Sequence, residues 1–229
     1  MRPLLSMEWR NVLFAHWPVD PELVEPRLPD QLTVATRDGR AWLGVVSFDM
    51  TDIRPRGSPV GLGFPEVNLR TYVEPADGGP RGVYFFTLDA ADRLGVTMAR
   101  LGYRLPYHYA NISVEERDGA VDYESYRPAT AETPDARFEA TYRPTGEVRT
   151  AEPGSLDAFL VENYRFYTDD WPVVIGDIDH DPWPIQDVEA EIRANTMFEA
   201  CGFDHPGGDP VLHYAAALDV TAKPPATLR

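Results

Sequence analysis

The chain of 229 residues is 43% hydrophobic and 25% charged, enough apolar side chain to bury a sizeable core in one substantial domain. That balance excludes a disordered chain, a collagen-like repeat and a disulfide-stapled miniprotein, and the single cysteine, Cys201, excludes internal disulfides and a cysteine-built metal cage. Thirty-seven acids against 21 bases give a net charge of −16, which repels polyanions and makes nucleic acid or an anionic membrane a poor partner.

No stretch approaches the ~18 consecutive apolar residues of a membrane span. The opening MRPLLSMEWRNVLF has neither a continuous apolar run nor a small-residue cleavage site, so the expected location is cytoplasmic. The acids are scattered, and among the bases only Lys223 is a lysine. A dense carboxylate coat costs little where salt screens repulsion within a few ångströms, so the expected cytoplasm is that of a halophile.

In chain order, residues 7–16 read as a strand. A short helix follows from Pro21 to Leu28, opened by Asp20 with Pro at its first position. Thr33–Arg37 and Ala41–Met50 read as a hairpin about Asp38-Gly39, and the proline- and glycine-rich residues 51–65 as a loop. Strands are expected at 66–73 and 82–88, then a helix at 90–102 capped by Asp89. Leu94, Met98 and Leu101 form the buried stripe of that helix and Gly102 ends it. Strands 107–116 and 120–127 meet at Asp118-Gly119, and 137–143 adds another. Ser155 opens a helix through about Tyr167 with Leu156, Phe159, Leu160 and Tyr164 on one face. Strands near 172–179, 185–193 and 210–221, with a helical turn at 195–201, complete an α+β pattern around a large, mainly antiparallel sheet or barrel, with no linker to split residues 1–229.

Alternation on the strand Glu66-Val-Asn-Leu-Arg-Thr-Tyr-Val73 puts Glu66, Asn68, Arg70 and Tyr72 on one face. Such a face can be solvated. The neighbouring strands 41–48 and 82–88, however, are apolar on both faces, which requires cover on both sides. If the strands pair, the polar face is covered too. Glu66 and Arg70 then lie about 13 Å apart at about 3.3 Å per residue, too far to satisfy each other fully. A carboxylate, an amide and a guanidinium lining an enclosed hollow suit a small molecule whose carboxylate an arginine can hold. In the segment from Ala99 to Ala110, Arg100 sits near a helix C-terminus. Tyr107 and Tyr109 share one strand face, and His108 takes the other, where it is a candidate acid or base if the hollow lies on that side.

Other patterns fail. Asp177-x-Asp179-x-Asp181 starts like a calcium loop, but Pro182 and Val188 occupy the positions that need Gly and Glu. His180 lacks zinc-ligand spacing, the glycines at 57, 61 and 63 lack a strand-then-helix setting, and no GxSxG elbow occurs. No metal or cofactor is expected. His16, His205 and His213 could meet only in three dimensions.

The runs Phe14-Ala-His-Trp-Pro18, Glu66 to Val73, Val83-Tyr-Phe-Phe-Thr-Leu-Asp-Ala90, Leu105-Pro-Tyr107 and His180-Asp-Pro-Trp-Pro184 resemble the uncharacterised YqjF-like family, which is placed in the acetoacetate decarboxylase-like superfamily. The resemblance spans nearly the whole chain and implies a β-rich α+β fold around a closed, cone-like barrel with an internal pocket. The Ala99–Ala110 segment is similar to the decarboxylase stretch ending in Pro-Lys-Lys, where one lysine forms a Schiff base, and Glu66 is similar to the decarboxylase's pocket glutamate. Here the two lysine positions read Tyr107 and His108.

Two functions stay open. In the first, a pocket binds a small carboxylate-bearing molecule without Schiff-base decarboxylation. Arg70 or Arg100 anchors the acid, Asn68, Tyr72 and Tyr107 help bind it, and Glu66 or His108 moves protons. In the second, a structural or regulatory interaction protein uses the same polar face as a packed ion-pair network. The oligomeric state is left open.

Overall fold

The computed structural model describes residues 3–131, 133–168 and 172–228, with the side chains of all of these except 94 and 98–101. In chain order the strands are β1 (Leu5–Val19), β2 (Leu32–Val34), β3 (Ala41–Pro55), β4 (Leu62–Pro75), β5 (Gly82–Ala90), β6 (Tyr107–Tyr109) and β7 (Asn111–Arg117). They continue with β8 (Ala120–Arg127), β9 (Ala136–Arg149), β10 (Arg165–Tyr167), β11 (Val174–Asp179), β12 (Ile185–Asn195), β13 (Val211–Ala222) and β14 (Ala226–Thr227). The helices are short: α1 (Pro21–Val24), α2 (Arg93–Tyr103), α3 (Leu156–Val161) and α4 (Met197–Ala200).

Mostly antiparallel pairing makes one 14-stranded sheet. Part of it closes on itself: β13, β1, β3, β4, β5, β10 and β11 are successive neighbours, and β11 returns to β13 through Ile178↔Ala222 and Asp179↔Thr221. Closure removes the open edges that a sheet must otherwise protect. From β13 the sheet also continues through β12, β9, β8 and β7, which fold over the barrel's outer wall as a second layer.

Strand alternation decides what each wall carries. On β3, Trp42, Val46 and Phe48 point into the barrel while Leu43 and Val45 point out. On β4, Val67 and Leu69 point out, into the same cluster as Tyr123, Phe138 and Tyr142 of the second layer. Glu66, Asn68 and Arg70 therefore turn inward with the apolar face of β3. β1 bends at Asn11, whose φ of 52° lies in the left-handed region beside a register shift. Its carbonyl accepts from Tyr142 Oη at 2.7 Å and its side chain from Tyr214 Oη at 2.8 Å, so the bulge is tied to the second layer.

One polar group is buried between the layers. Asp89 and Thr87 of β5 point outward and meet Arg127 of β8, whose Nη1 donates to Asp89 Oδ1 at 2.5 Å and to Thr87 Oγ1 at 2.6 Å. Asp89 is thus an ion-pair partner. The helix cap expected at Asp89 is supplied by Asp92 instead, whose side chain accepts from Gly95 N at 2.6 Å.

Other expectations also change. Residues 51–65 are largely strand, because β3 and β4 stay paired through Met50↔Phe64 and Ile53↔Leu62 and only the tip turns. Asp38 and Gly39 do turn with positive φ, but only an Arg37↔Arg40 bridge closes that turn, and β2 pairs with β4 instead. Asp118-Gly119 makes the expected tight hairpin, with Arg117 opposite Ala120. Residues 107–116 divide: β6 pairs parallel with β5, and β7 pairs with β8. Helix α2 ends at Tyr103 with Arg104, not Gly102, in the left-handed conformation. The side chains of Leu94, Met98 and Leu101 lie outside the described residues. Ser155 caps α3 through Ala158 N at 3.1 Å, but α3 stops at Val161, so Tyr164 lies beyond it.

Breaking a buried pair by removing one partner costs about 3–5 kcal/mol, while replacing both with apolar groups costs far less. Arg127→Met should therefore lower urea stability by about that amount. Arg127→Met combined with Asp89→Leu should recover most of the loss.

Candidate functional site

The barrel interior holds a cavity of about 330 Å³. Most of its wall is apolar, from Trp9, Phe14, Phe48, Phe64, Phe85 and Trp183, and its polar groups include Glu66, Asn68, Arg70, Tyr107 and His180. Trp183, in the segment between β11 and β12, packs edge-on against Phe14 and parallel to Trp9, with centroids 5.0 and 5.8 Å away.

Glu66 is 2% exposed. Its carboxylate accepts from Tyr107 Oη at 2.5 Å and from Asn68 Nδ2 at 3.1 Å. Tyr107 is placed there by the parallel pairing of β6 with β5, which sets it beside Leu88. Burial pushes the Glu66 carboxyl up to about 7, against the pull of Tyr107, Asn68 and Arg70. Burial also holds the Tyr107 phenol well above its ordinary range, with Glu66 adding to the effect. Near neutral pH this carboxyl is poised to gain or lose a proton.

Arg70 sits beyond Asn68 on the same face, its guanidinium 5.5 Å from the centroid of the Phe14 ring. Burial lowers its pKa, yet a guanidinium stays charged. Its surroundings are protein on all sides, and the surface it keeps belongs to the cavity wall. Nε and Nη2 find no acceptor among the described residues. No ion pair joins Arg70 to Glu66 there, so the two attract only at a distance.

The next inward residue, Tyr72, is fully buried and lies beyond the residues that line the cavity. Its hydroxyl donates to Leu160 O at 2.6 Å and lies 2.7 Å from His16 Nε2. With the phenolic proton on Leu160, His16 must donate from Nε2, which leaves Nδ1 as a lone pair; Nδ1 has no partner among the described residues. Burial first, then Arg70 and His213, hold His16 well below its ordinary pKa and therefore neutral. His16 packs tightly here, since a Cβ on Gly44 would come within 2.6 Å of its ring. His213 also points inward, with Nε2 3.0 Å from Asp157 Oδ1.

Of the residues singled out from the sequence, Glu66, Asn68, Arg70 and Tyr107 converge on the cavity, and Tyr72 lies beyond its lining. His108 is not among the lining residues; it pairs in parallel register with Asp89 on the strand whose Tyr107 faces inward. The side chain of Arg100 lies outside the described residues. His16 and His213 lie near enough for the charge of His213 to affect His16, but neither is among the cavity's lining residues, and His205 packs edge-on against Trp17 and Phe198 outside the barrel. His180 was passed over because it lacks zinc spacing. It lines the cavity, stacks on Tyr164 with centroids 4.4 Å apart, and leaves a buried Nε2 without a partner among the described residues.

Residues 6–219 match the model of DUF2071, a family described as uncharacterized conserved protein. The chain belongs to that family. This DUF2071 protein is 44% identical over 221 residues to the uncharacterized protein YqjF of Bacillus subtilis (strain 168), a match covering 95% of this chain and 89% of the relative. Among solved structures it is similar to an acetoacetate decarboxylase-like enzyme from Sphingomonas wittichii RW1, with TM-score 0.66, 16% identity, and 100% and 94% of the two chains covered. Acetoacetate decarboxylase from Legionella pneumophila aligns with TM-score 0.68 at 11% identity over 100% and 88%. At these identities the likeness is one of fold: acetoacetate decarboxylase-like, as expected. No helix among the described residues is long and apolar enough to cross a membrane.

Lifting Glu66 from 4.5 to about 7 means that the folded state holds this proton more tightly than the unfolded chain between those values. Stability contributed by Glu66 is therefore fully present below pH about 4.5 and lost as pH rises through about 7, on the order of 3 kcal/mol in all. Asp89, lifted to about 6, adds in the same sense. Urea unfolding of Glu66→Gln between pH about 5 and about 8 should give a flatter pH dependence than the parent.

Proposed function

We propose that this DUF2071 protein binds a small carboxylate-bearing molecule in the barrel cavity, with Arg70 as its anchor. The observation that carries this is a guanidinium on the cavity wall, two of whose nitrogens, Nε and Nη2, have no acceptor among the described residues. A charge so placed costs several kcal/mol unless an anion answers it, and a carboxylate fits a guanidinium with two parallel hydrogen bonds. Asn68 Oδ1, also without a partner among the described residues, can accept from the ligand. Glu66, held in place by Tyr107 and Asn68, is the group that would move a proton during any acid–base step on the bound acid. The enduracididine biosynthesis enzyme MppR, whose structure holds pyruvate, aligns with TM-score 0.62 at 12% identity over 100% of this chain and 92% of its own, and supports a small organic acid as a ligand this fold can accept.

Schiff-base decarboxylation is not part of the proposal. That route needs a primary amine, and the one lysine, Lys223, follows Ala222 at the barrel's rim and is not among the cavity's lining residues. The phenol of Tyr107 donates to Glu66 and cannot form an imine.

A thermal-shift screen of keto, hydroxy and aromatic acids tests the proposal, run at low ionic strength and again in molar KCl to suit the acidic surface. A ligand at a hundredfold excess over its dissociation constant should add about 2.7 kcal/mol. Arg70→Met should abolish that response while leaving the unliganded protein as stable as the parent or more so, because it removes a buried charge with no partner. Loss of stability in Arg70→Met, with no acid shifting the parent, would instead favour the polar face as a packed ion-pair network. Borohydride with a keto acid should trap no adduct; a stable one would restore imine chemistry.

A further inference from the structure

The cavity is longer than a keto acid requires. On β4 its wall runs through Leu62, Phe64, Glu66, Asn68 and Arg70, eight residues or about 26 Å at about 3.3 Å per residue. β1 lines a similar length from Leu5 to Phe14. At one end the β4 lining stops at Arg70, beyond which Tyr72 is buried and bonds Leu160 and His16. The other end reaches Leu5, Pro55 and Leu62, where Leu62 is 40% exposed and the nearby Val60 is 69% exposed, an apolar rim standing in solvent. Along the channel Asn68 and Tyr107 both bond Glu66, while Asn68 Oδ1 and the Arg70 guanidinium are left at the far end to meet a ligand head group. Val46, Phe48 and Leu88 flank these β4 residues on the paired strands β3 and β5, and the remaining wall is mostly apolar, with Trp9, Phe166, Ile178 and Trp183 beside the polar Asn163, Arg165 and His180.

We propose that the ligand is a monocarboxylic acid with an unbranched alkyl chain, its carboxylate on Arg70 and its chain lying along β4 toward the Leu62 rim. This rests on the carboxylate-binding function proposed above and names the class of acid. A charged head at the Arg70 end and a mostly apolar lining between head and mouth match an amphiphile, in which each methylene is drawn from water into the channel.

Calorimetric titration of the full chain with butanoate, hexanoate, octanoate and decanoate, each below its micelle concentration, tests this. Acetoacetate and octanol serve as comparisons. Affinity should rise about fourfold per added methylene, the equivalent of about 0.8 kcal/mol, until the chain reaches the rim. Octanol should bind far more weakly than octanoate, and Arg70→Met should erase that difference. Leu62→Asp, at an exposed position where folding is not at stake, should weaken decanoate more than butanoate. If short acids and acetoacetate bind through Arg70 with no gain along the series, the alkyl-chain assignment is overturned and carboxylate binding stands. If no acid binds, or octanol binds as octanoate does, both are overturned.

Discussion

Strand β4 carries a full positive charge on the wall of the barrel cavity. Outside it, Val67 and Leu69 are packed under the second sheet; inside it, Arg70 shares a wall with Phe14, Phe48 and Trp183. Sheet geometry allows no other arrangement once both faces of β3 and β5 are apolar, because a strand paired between them inherits their surroundings. The Phe14 ring offers the guanidinium a weak attraction and Glu66 a distant one. Neither replaces the water that burial removed. The hollow beside Arg70 and the unanswered charge are two aspects of one constraint, since closer packing there would leave the charge with nothing at all.

The contrast with Arg127 sharpens this. Both arginines are buried behind the same β4–β5 wall, one on each side. Arg127 meets Asp89 and Thr87 at hydrogen-bonding distance, so its charge is paired with a carboxylate, although Arg127 Nε and Asp89 Oδ2 have no partner among the described residues. On the cavity side the carboxyl and the guanidinium are set apart along β4, and the carboxyl takes neutral donors instead. Two sets of similar residues thus differ in one respect: the first joins its arginine to a carboxylate and the second keeps the two apart. Only the second lines a cavity.

Much of the inner wall was legible from alternation alone, since Glu66, Asn68 and Arg70 lie two apart on a strand flanked by strands apolar on both faces. What was not legible has identifiable causes. Asp89 has the composition of a helix cap and stands just before a helix, yet β5 runs one residue past it, and Asp92 takes the cap. The proline- and glycine-rich stretch after Met50 looks like a loop, but it forms the far ends of β3 and β4. There Gly63 lets the chains approach, since a Cβ at that position would lie 3.2 Å from Met50 O. Closure of the barrel depends on the short contact between β11 and β13, which no local pattern announces. His180 and Trp183 reach the cavity only because of that closure.

The exchange of amine for phenol has a consequence for Glu66 itself. An ammonium at the position of Tyr107 would place positive charge against the carboxylate and hold it ionised near neutral pH. Tyr107 offers one neutral O–H at 2.5 Å, and Asn68 one neutral N–H at 3.1 Å. Those two bonds favour the ionised form, but burial outweighs them, and the carboxyl settles at about 7. With a neutral phenol rather than an ammonium beside it, the Glu66 carboxyl is thus left to change protonation near neutral pH. Any chemistry on an acid held by Arg70 would then run through proton transfer at Glu66, and the Tyr107 phenol, itself pushed far above its ordinary range, would orient that carboxyl without competing for its proton.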